Sequence, residues 1–524
     1  MKRASLISCL FLCLTAPLVL SQSKPAPEVN RSAATLLGNV TNASAGSLFG
    51  PAYNYSFLGI PSGSPNSVAV GDVDGDGKPD LVVAFGEGGA GNQGLIAILL
   101  GNGDGTFHYY DSFGSGAGFA SSVKVADLNG DGKLDLVVSN CGSAEDPGDC
   151  PNGSDGFVAI FLGNGDGTFH APVLYDSGGG GALSVLVVDL NLDGKPDLVV
   201  ENDCADPACT MGGGFGVMIG NGDGTFQSVV AYNGYGSTAV ADLNGDGKPD
   251  LLLGSLGSNG SVTVLLGNGD GTFVSSGSFP LSESEVDAAA ADLDGDGKLD
   301  IVTLTYNPNK TAHYVSVLKG NGDGTFQPQV RYPKLATYAS HLAVADLNAD
   351  GAPDVVVTGF QPHSSDGQLT VLLGKGNGKL GKAVIYESGG EGSFSVTIAD
   401  LNGDGRLDLT APDFWTDDIG ILLNIGPYPT SVVLRSGLNP STQGQAVTFT
   451  ATIGSAGGAP SDGEIVTFKK GTKLLGNGTL TGGTASLTTS KLKVGTTAIT
   501  AVYGGDSSFG PSTSNTVEQV VNGK

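Results

Sequence analysis

Oxygen-bearing side chains recur in this chain at a spacing that suits a hard divalent cation. The pattern Asp-x-Asp/Asn-x-Asp-Gly-x-x-Asp occurs seven times and sets candidate ligands at positions one, three, five and nine. The copies are Asp72, Asp74, Asp76, Asp80; Asp127, Asn129, Asp131, Asp135; Asp189, Asn191, Asp193, Asp197; Asp242, Asn244, Asp246, Asp250; Asp292, Asp294, Asp296, Asp300; Asp346, Asn348, Asp350, Asp354; and Asp400, Asn402, Asp404, Asp408. The Gly after position five lets the backbone turn sharply, so that the oxygens converge. Ca2+ takes such oxygens in flexible geometry, whereas Mg2+ demands a stricter octahedron and Zn2+ prefers nitrogen and sulfur. The pattern predicts up to seven Ca2+.

Asp, Asn and Gly also favour plain surface turns. A turn alone does not require Asp at position nine of every copy, and carboxylates packed this closely repel unless a cation sits among them. Copies three and six depart from the rest, with Leu192 and Ala349 in place of a Gly at position four. An EF-hand would carry Glu at position twelve and lie between helices. Position twelve is instead apolar, as in Val83 and Val138, and flanks such as Ser67-Val-Ala-Val-Gly and Asp80-Leu-Val-Val-Ala read as strands.

A second motif lies between the acidic loops: Leu100-Gly-Asn-Gly-Asp-Gly-Thr-Phe107, repeated as Gly163 to Phe169, Gly220 to Phe226, Gly267 to Phe273 and Gly320 to Phe326, with a worn copy at Gly374 to Leu380. Its Asn-Gly and Asp-Gly steps suit a tight hairpin, and the Phe suits burial between sheets. It is similar to a fragment of the calcium-binding nonapeptide repeats of RTX proteins but does not recur every nine residues. Each unit of 50 to 62 residues then reads as four strands, for instance 67–72, 80–85, 94–100 and 107–112. Seven such units predict an all-β chain whose first part is a seven-bladed β-propeller. The seventh unit lacks a fourth strand before Gly426-Pro-Tyr-Pro, and Ala52 to Leu58 is the candidate to supply it, closing the ring.

These loops and turns resemble the FG-GAP/VCBS repeats, a family of seven-bladed propellers also found in the head of integrin α subunits. The resemblance covers about residues 51 to 425. It implies Ca2+ in the loop between the first and second strands of each blade, hence at the residues above. It does not imply one activity, since the family includes adhesion receptors, lectin-like binders and accessory domains of enzymes.

From Pro427 onward the composition shifts to Thr, Ser, Val and Gly in short alternating segments such as Ala446 to Thr452, Glu464 to Phe468 and Thr497 to Tyr503, which predict a β-sandwich. The ending Val502-Tyr-Gly-Gly-Asp-Ser-Ser-Phe509 resembles bacterial Ig-like repeat domains of secreted proteins. Met1-Lys-Arg followed by apolar Ala4 to Leu20 reads as a secretory signal peptide, too short and interrupted for a comfortable membrane span. The expected division is signal peptide 1–22, flexible leader 23–50, propeller 51–426 and Ig-like sandwich 427–524. In an oxidising compartment Cys141 with Cys150, and Cys204 with Cys209, are expected as two local disulfides; a zinc site built from all four is the alternative.

Formal net charge is −27, and 23 of the 52 acidic residues lie in the seven loops. That balance disfavours nucleic acid and anionic membranes as partners. No nucleophile elbow, zinc-protease motif or phosphate-binding Gly loop occurs. A sugar-cleaving carboxylate pair carries no local signature, so a polysaccharide lyase or hydrolase remains the alternative to a non-catalytic binder. Because strands alternate in direction, the acidic loops share one face, and long loops at 140–156, 201–214, 306–314, 360–368 and 411–418 project from the other. Trp415 and Tyr306 lie there as candidate contacts to an extracellular glycan or protein. Together with the resemblance, these features imply a secreted or cell-surface binding protein stabilised by Ca2+.

Overall fold

The computed structural model describes residues 48–524 and the strand Thr35–Leu37, apart from segments at 57–62, 87–92, 143–154, 207–211, 235–237, 255–259, 308–311, 334, 336–337, 362–364, 429, 456–457 and 507. Among the described residues every regular element is a β-strand. The signal-peptide region, Cys150 and Cys209 lie outside them.

Seven four-stranded antiparallel units follow one another. The first is Pro65–Gly71, Asp80–Phe85, Leu95–Gly101 and Phe107–Gly114, paired in that order. Its second and third strands are buried throughout, because neighbouring blades cover both faces, and so they read as unbroken apolar runs rather than alternating ones. The fourth strand alternates with exposed positions at the rim. Blades two and three share one continuous strand, Val173–Val188, which serves as outer strand of one and inner strand of the next. Blades four, five and six start at Thr238, Ser284 and Tyr338.

Blade seven is composite. Thr397–Ala399, Asp408–Asp413 and Asp418–Leu422 take Tyr53–Ser56 as their fourth strand, with Tyr53 opposite Ile421 and Ser56 opposite Asp418. This is the closure expected from Ala52 to Leu58. The structured part begins earlier than a leader ending at residue 50 allows. Phe49 is fully buried and bridges Asn424, and Thr35–Leu37 pairs outside Tyr53–Ser56 as a fifth strand. Backbone groups left open on the blade's outer edge, and an apolar slot for Phe49, account for the difference.

A ring of aromatic clasps joins neighbouring blades. The hairpin residue of one blade meets an aromatic on the outer strand of the blade before it: Tyr55 with Phe107, Phe113 with Phe169, Tyr175 with Phe226, Tyr232 with Phe273 and Phe279 with Phe326, at centroid separations of 5.3 to 6.2 Å. In the sixth blade Leu380 donates its N–H to the Tyr332 hydroxyl at 2.9 Å. The seventh clasp is Tyr386 with Phe49, 5.3 Å apart, so the N-terminal segment supplies the missing hairpin aromatic as well as the missing strand.

After the propeller, Ser431–Ser436, Val447–Gly454 and Thr484–Thr489 form one sheet; Ser441–Thr442, Val517–Asn522, Gly495–Tyr503, Ile465–Lys470 and Lys473–Thr479 form the other, with Ser512–Thr513 paired to Gly495–Tyr503. Phe449, Phe468, Ile499 and Tyr503 fill the space between them. Arg406 of the seventh acidic loop lies over the Tyr428 ring at 4.0 Å and donates to the Gly426 carbonyl at 2.7 Å, fastening the start of this domain to blade seven.

Candidate metal loops and recognition face

Each acidic loop joins the first and second strands of its blade, and its Asx side chains shape it through backbone amides. In loop one the position-six Gly77 N–H donates to Asp72 at 2.9 Å, Asp76 N–H to Asp74 at 3.0 Å, and Lys78 N–H to Asp76 at 2.9 Å. The bond from the position-six Gly to the position-one Asp recurs in all seven loops at 2.8 to 2.9 Å. Positions four and six take left-handed backbone, as in Gly75 and Gly77 with φ of 76° and 84°. Leu192 and Ala349 adopt the same conformation, with φ of 60° and 57°, so the departures in loops three and six leave the turn in place under strain.

Position nine holds a different place from the other three. Asp80, Asp135, Asp197, Asp250, Asp300, Asp354 and Asp408 are all fully buried. One oxygen of Asp80 accepts the Val73 N–H at 2.9 Å and the other the Gly101 N–H at 2.8 Å, and this pair of bonds repeats in every blade. The buried carboxylate thus staples the acidic loop to the end of the third strand, a structural reason for its recurrence that the sequence pattern did not reveal. Burial raises each of these carboxyls against the pull of the two amides, to about 7 for Asp354 and about 6 for Asp408.

Loop oxygens also gather as a cation site would, from positions one, three and five in loop one and from one, three and nine in loop five. One oxygen each from Asp72, Asp74 and Asp76 lies within 4.8 Å of the others, and so do oxygens of Asp292, Asp294 and Asp300. The second oxygen of Asp72, Oδ1, is buried and accepts no hydrogen bond. An all-oxygen donor set with a buried, unpartnered carboxylate oxygen fits Ca2+. The Gly-rich turn of the next blade packs beside each such loop, as where Gly167 N–H donates to the Val73 carbonyl at 3.0 Å. Within a blade the position-seven lysine lies across the motif's second glycine, where a Cβ on Gly103 would stand 2.9 Å from the Lys78 stem.

On the opposite face the structure connects the two predicted contact residues through a chain of rings. Tyr306 meets His313, His313 meets Tyr338, Tyr338 meets Phe360 and Phe360 meets Trp415, with centroids 4.8 to 5.9 Å apart. Phe394 adds a second edge contact to Trp415 at 5.6 Å. The indole also lies over Gly392, where any Cβ would strike it. Trp415 is nonetheless 45% exposed. It is a platform held in one orientation, and the turn that carries it contains Asp417 in left-handed backbone with φ of 54°.

The sequence reading missed a polar clasp near this face. Ser115 donates to Asn140 at 2.6 Å, Ser177 to Asn202 at 2.6 Å and Ser388 to Asp413 at 2.7 Å, each pair joining neighbouring blades. The signal was present, since each Ser precedes its partner by 25 residues. Cys141 and Cys204 are buried, at the ends of the strands Asp135–Cys141 and Asp197–Cys204. Their expected partners, Cys150 and Cys209, lie outside the described residues.

Among the described residues no helix is long and apolar enough to cross a membrane. The FG-GAP-like repeat matches residues 72–138, 150–200, 242–303, 304–357 and 346–411, the FG-GAP repeat matches 119–161, and a bacterial Ig-like domain (group 3) matches 434–522. The chain is 29% identical to human (Homo sapiens) integrin alpha-IIb over 217 residues, 37% of this chain and 20% of that one. It is 29% identical to integrin alpha-V of Gallus gallus over 240 residues, 40% of this chain and 21% of that one. It therefore spans about a fifth of these relatives. A solved structure of the BP39L lectin from Burkholderia pseudomallei superposes on 70% of this chain and 96% of its own, with 13% identity and a TM-score of 0.48. With repeat matches over more than half its length, the chain belongs to the FG-GAP repeat family, as a propeller followed by a bacterial Ig-like domain.

Proposed function

We propose that this chain is a secreted, non-catalytic binding protein whose acidic loops hold Ca2+ and whose opposite face recognises an extracellular glycan. The observation that carries the calcium reading is the gathering of one oxygen each from Asp72, Asp74 and Asp76, together with a buried Asp72 Oδ1 that accepts no hydrogen bond. Side-chain oxygens at positions one, three and five, with Asp or Asn at position three, would ligate the ion, and position nine would fix the loop beneath them. Bound Ca2+ would relieve repulsion among the carboxylates and stiffen the ring. Recognition is supported by the immobilised, exposed Trp415. A flat aromatic surface suits the apolar face of a sugar ring, and an orientation fixed in advance lowers the entropic cost of binding.

The proposed division keeps a signal peptide at 1–22, a short leader, the propeller and the Ig-like domain from 427. Disulfides Cys141–Cys150 and Cys204–Cys209 would tie down two second-to-third-strand loops. The test is a glycan array probed with the calcium-loaded protein and with Trp415→Ala. Binding by the first and not the second supports the reading; equal binding places recognition elsewhere. Release of oligosaccharides from a bound polysaccharide would show a lyase or hydrolase instead. Melting with and without EDTA tests the metal, because an ion that binds only the folded state must raise the melting temperature.

A further inference from the structure

Loop five differs from the other six in what stands beside it. Six blades place an apolar residue just before the amide that donates to the position-nine Asp: Leu100, Leu162, Ile219, Leu266, Leu373 and Leu423. Leu162, Ile219, Leu266 and Leu423 lie against the turn glycine of the next blade. Blade five has Lys319 at this place. Its Nζ contacts Asp294 Oδ2, at loop position three, and stands 3.4 Å from Asp296 Oδ2, at position five.

This contact differs in kind from those of the position-seven lysines. Lys78, Lys195 and Lys248 each reach only the position-five carboxylate of their own loop, at 2.6, 3.5 and 3.7 Å. Lys319 reaches positions three and five together, and its position-three partner Asp294 belongs to the oxygen cluster of loop five, with Asp292 and Asp300. Its partner Asp294 is also the more buried, with a side chain only 12% exposed. The charge count moves in parallel. Five loops carry Asn at position three, whereas loop five carries Asp294, so an added carboxylate accompanies the added ammonium. Loop one has the matching Asp74 without a lysine at the matching place, where Leu100 stands.

We infer that Lys319 is a built-in cation for loop five, its ammonium taking the place that a divalent ion takes in the other loops. A compact ammonium with three donors neutralises and hydrogen-bonds two carboxylates, and an entering Ca2+ would have to displace it from a partly buried partner. Blade five then keeps its loop shape at calcium levels that empty its neighbours. This inference rests on the calcium reading proposed above.

The test counts ions per chain in the full-length protein by equilibrium dialysis and elemental analysis, at saturating calcium, for the wild type, Lys319→Leu and Lys319→Met. Leu is the residue that most other blades carry at this place, and Met keeps the unbranched stem without the charge. Each variant is expected to bind one more Ca2+ per chain than the wild type and to melt at a lower temperature than the wild type in EDTA. Equal calcium content in all three, at any number above zero, overturns the role of Lys319 and leaves the calcium reading standing. No bound calcium in any of the three overturns both.

Discussion

The Tyr55 hydroxyl accepts the Phe107 backbone N–H at 3.1 Å, and the two rings meet edge to face with centroids 6.0 Å apart. Tyr55 lies on the N-terminal strand that completes blade seven, and Phe107 opens the outer strand of blade one. Tyr53–Ser56 runs on in the chain to the first strand of blade one but is held to blade seven only by its pairing with Asp418–Leu422, so the contact anchors the strand that closes the ring. Tyr175 and Phe226 make the same contact between blades two and three, where the strand Val173–Val188 already links the blades covalently. Tyr55→Phe is expected to cost about 1 kcal/mol, the size of one hydrogen bond. Tyr55→Ala should cost about 3 kcal/mol through the lost ring. Urea unfolding should show Tyr55→Ala accelerating unfolding more than Tyr175→Ala; equal rates would mean that closure is not the weak point.

The paired amide bonds to the position-nine Asp predict a stability effect independent of calcium. In blade four, Asp250 accepts from Leu243 at 2.8 Å and from Gly267 at 2.8 Å. Asparagine has one acceptor oxygen, so Asp250→Asn would bring its amide NH2 against a backbone donor and leave one N–H unpaired. A loss of about 1 to 3 kcal/mol is expected, and it should persist in EDTA. Asp242→Asn, at position one of the same loop, also faces amide donors through both oxygens, so part of its loss should persist in EDTA, and it should in addition reduce the increment in melting temperature that calcium adds. If Asp250→Asn matters solely in the presence of calcium, position nine is acting as a ligand and not as a staple.

Architecture was legible wherever one side chain announces its own conformation. Asp and Asn at odd positions followed by Gly mark the loops, and Asn-Gly-Asp-Gly marks the hairpins, because these residues favour such backbone whatever surrounds them. The aromatic clasp was legible only in half. Phe107 and its repeats belong to a motif, but their partners Tyr55, Phe113, Tyr175, Tyr232 and Phe279 come from the preceding blade and are Tyr in some blades and Phe in others. The staple role of Asp80 was hidden for a related reason. A carboxylate that accepts two amides and one that binds an ion look alike in sequence, and only burial separates them. Phe49 was missed because no hairpin motif surrounds it; the sixth blade's Tyr386, not a local pattern, gives it its place.

Leu192 gives the simplest substitution to improve the fold. It holds φ of 60° at position four of loop three, where a side chain costs about 1 to 2 kcal/mol. The side chain is more than half exposed, so little packing opposes its removal. Leu192→Gly is expected to stabilise the protein by about 1 kcal/mol, less than the full strain because glycine adds freedom to the unfolded chain. Thermal melting in EDTA measures this without a contribution from ion binding. A drop in melting temperature would show that Leu192 makes a contact worth more than its strain.

Asp413 predicts how stability depends on pH. It stands where blades two and three carry Asn140 and Asn202, accepts from Ser388 at 2.7 Å, from Ser393, and from the Gly390 N–H at 3.0 Å, and is buried. Burial, together with the nearby Asp418, raises its pKa to about 7 against the hydrogen bonds that lower it. An unfolded chain releases the same proton near pH 4, so between these values the folded state binds the extra proton. The contribution of Asp413 to stability is therefore complete below about pH 4 and is lost as pH rises through about 7, by something on the order of 4 kcal/mol. Asp413→Asn supplies the amide that the equivalent clasps already use, and should flatten this component while leaving the protein more stable than wild type at pH 8. Glu201, also raised to about 7 by burial, titrates in both proteins, so the difference between the two curves isolates Asp413. Denaturant titrations from pH 4.5 to 8 provide that difference. Parallel curves would mean that Asp413 is ionised in the folded state throughout, with the three donors around it compensating fully for burial.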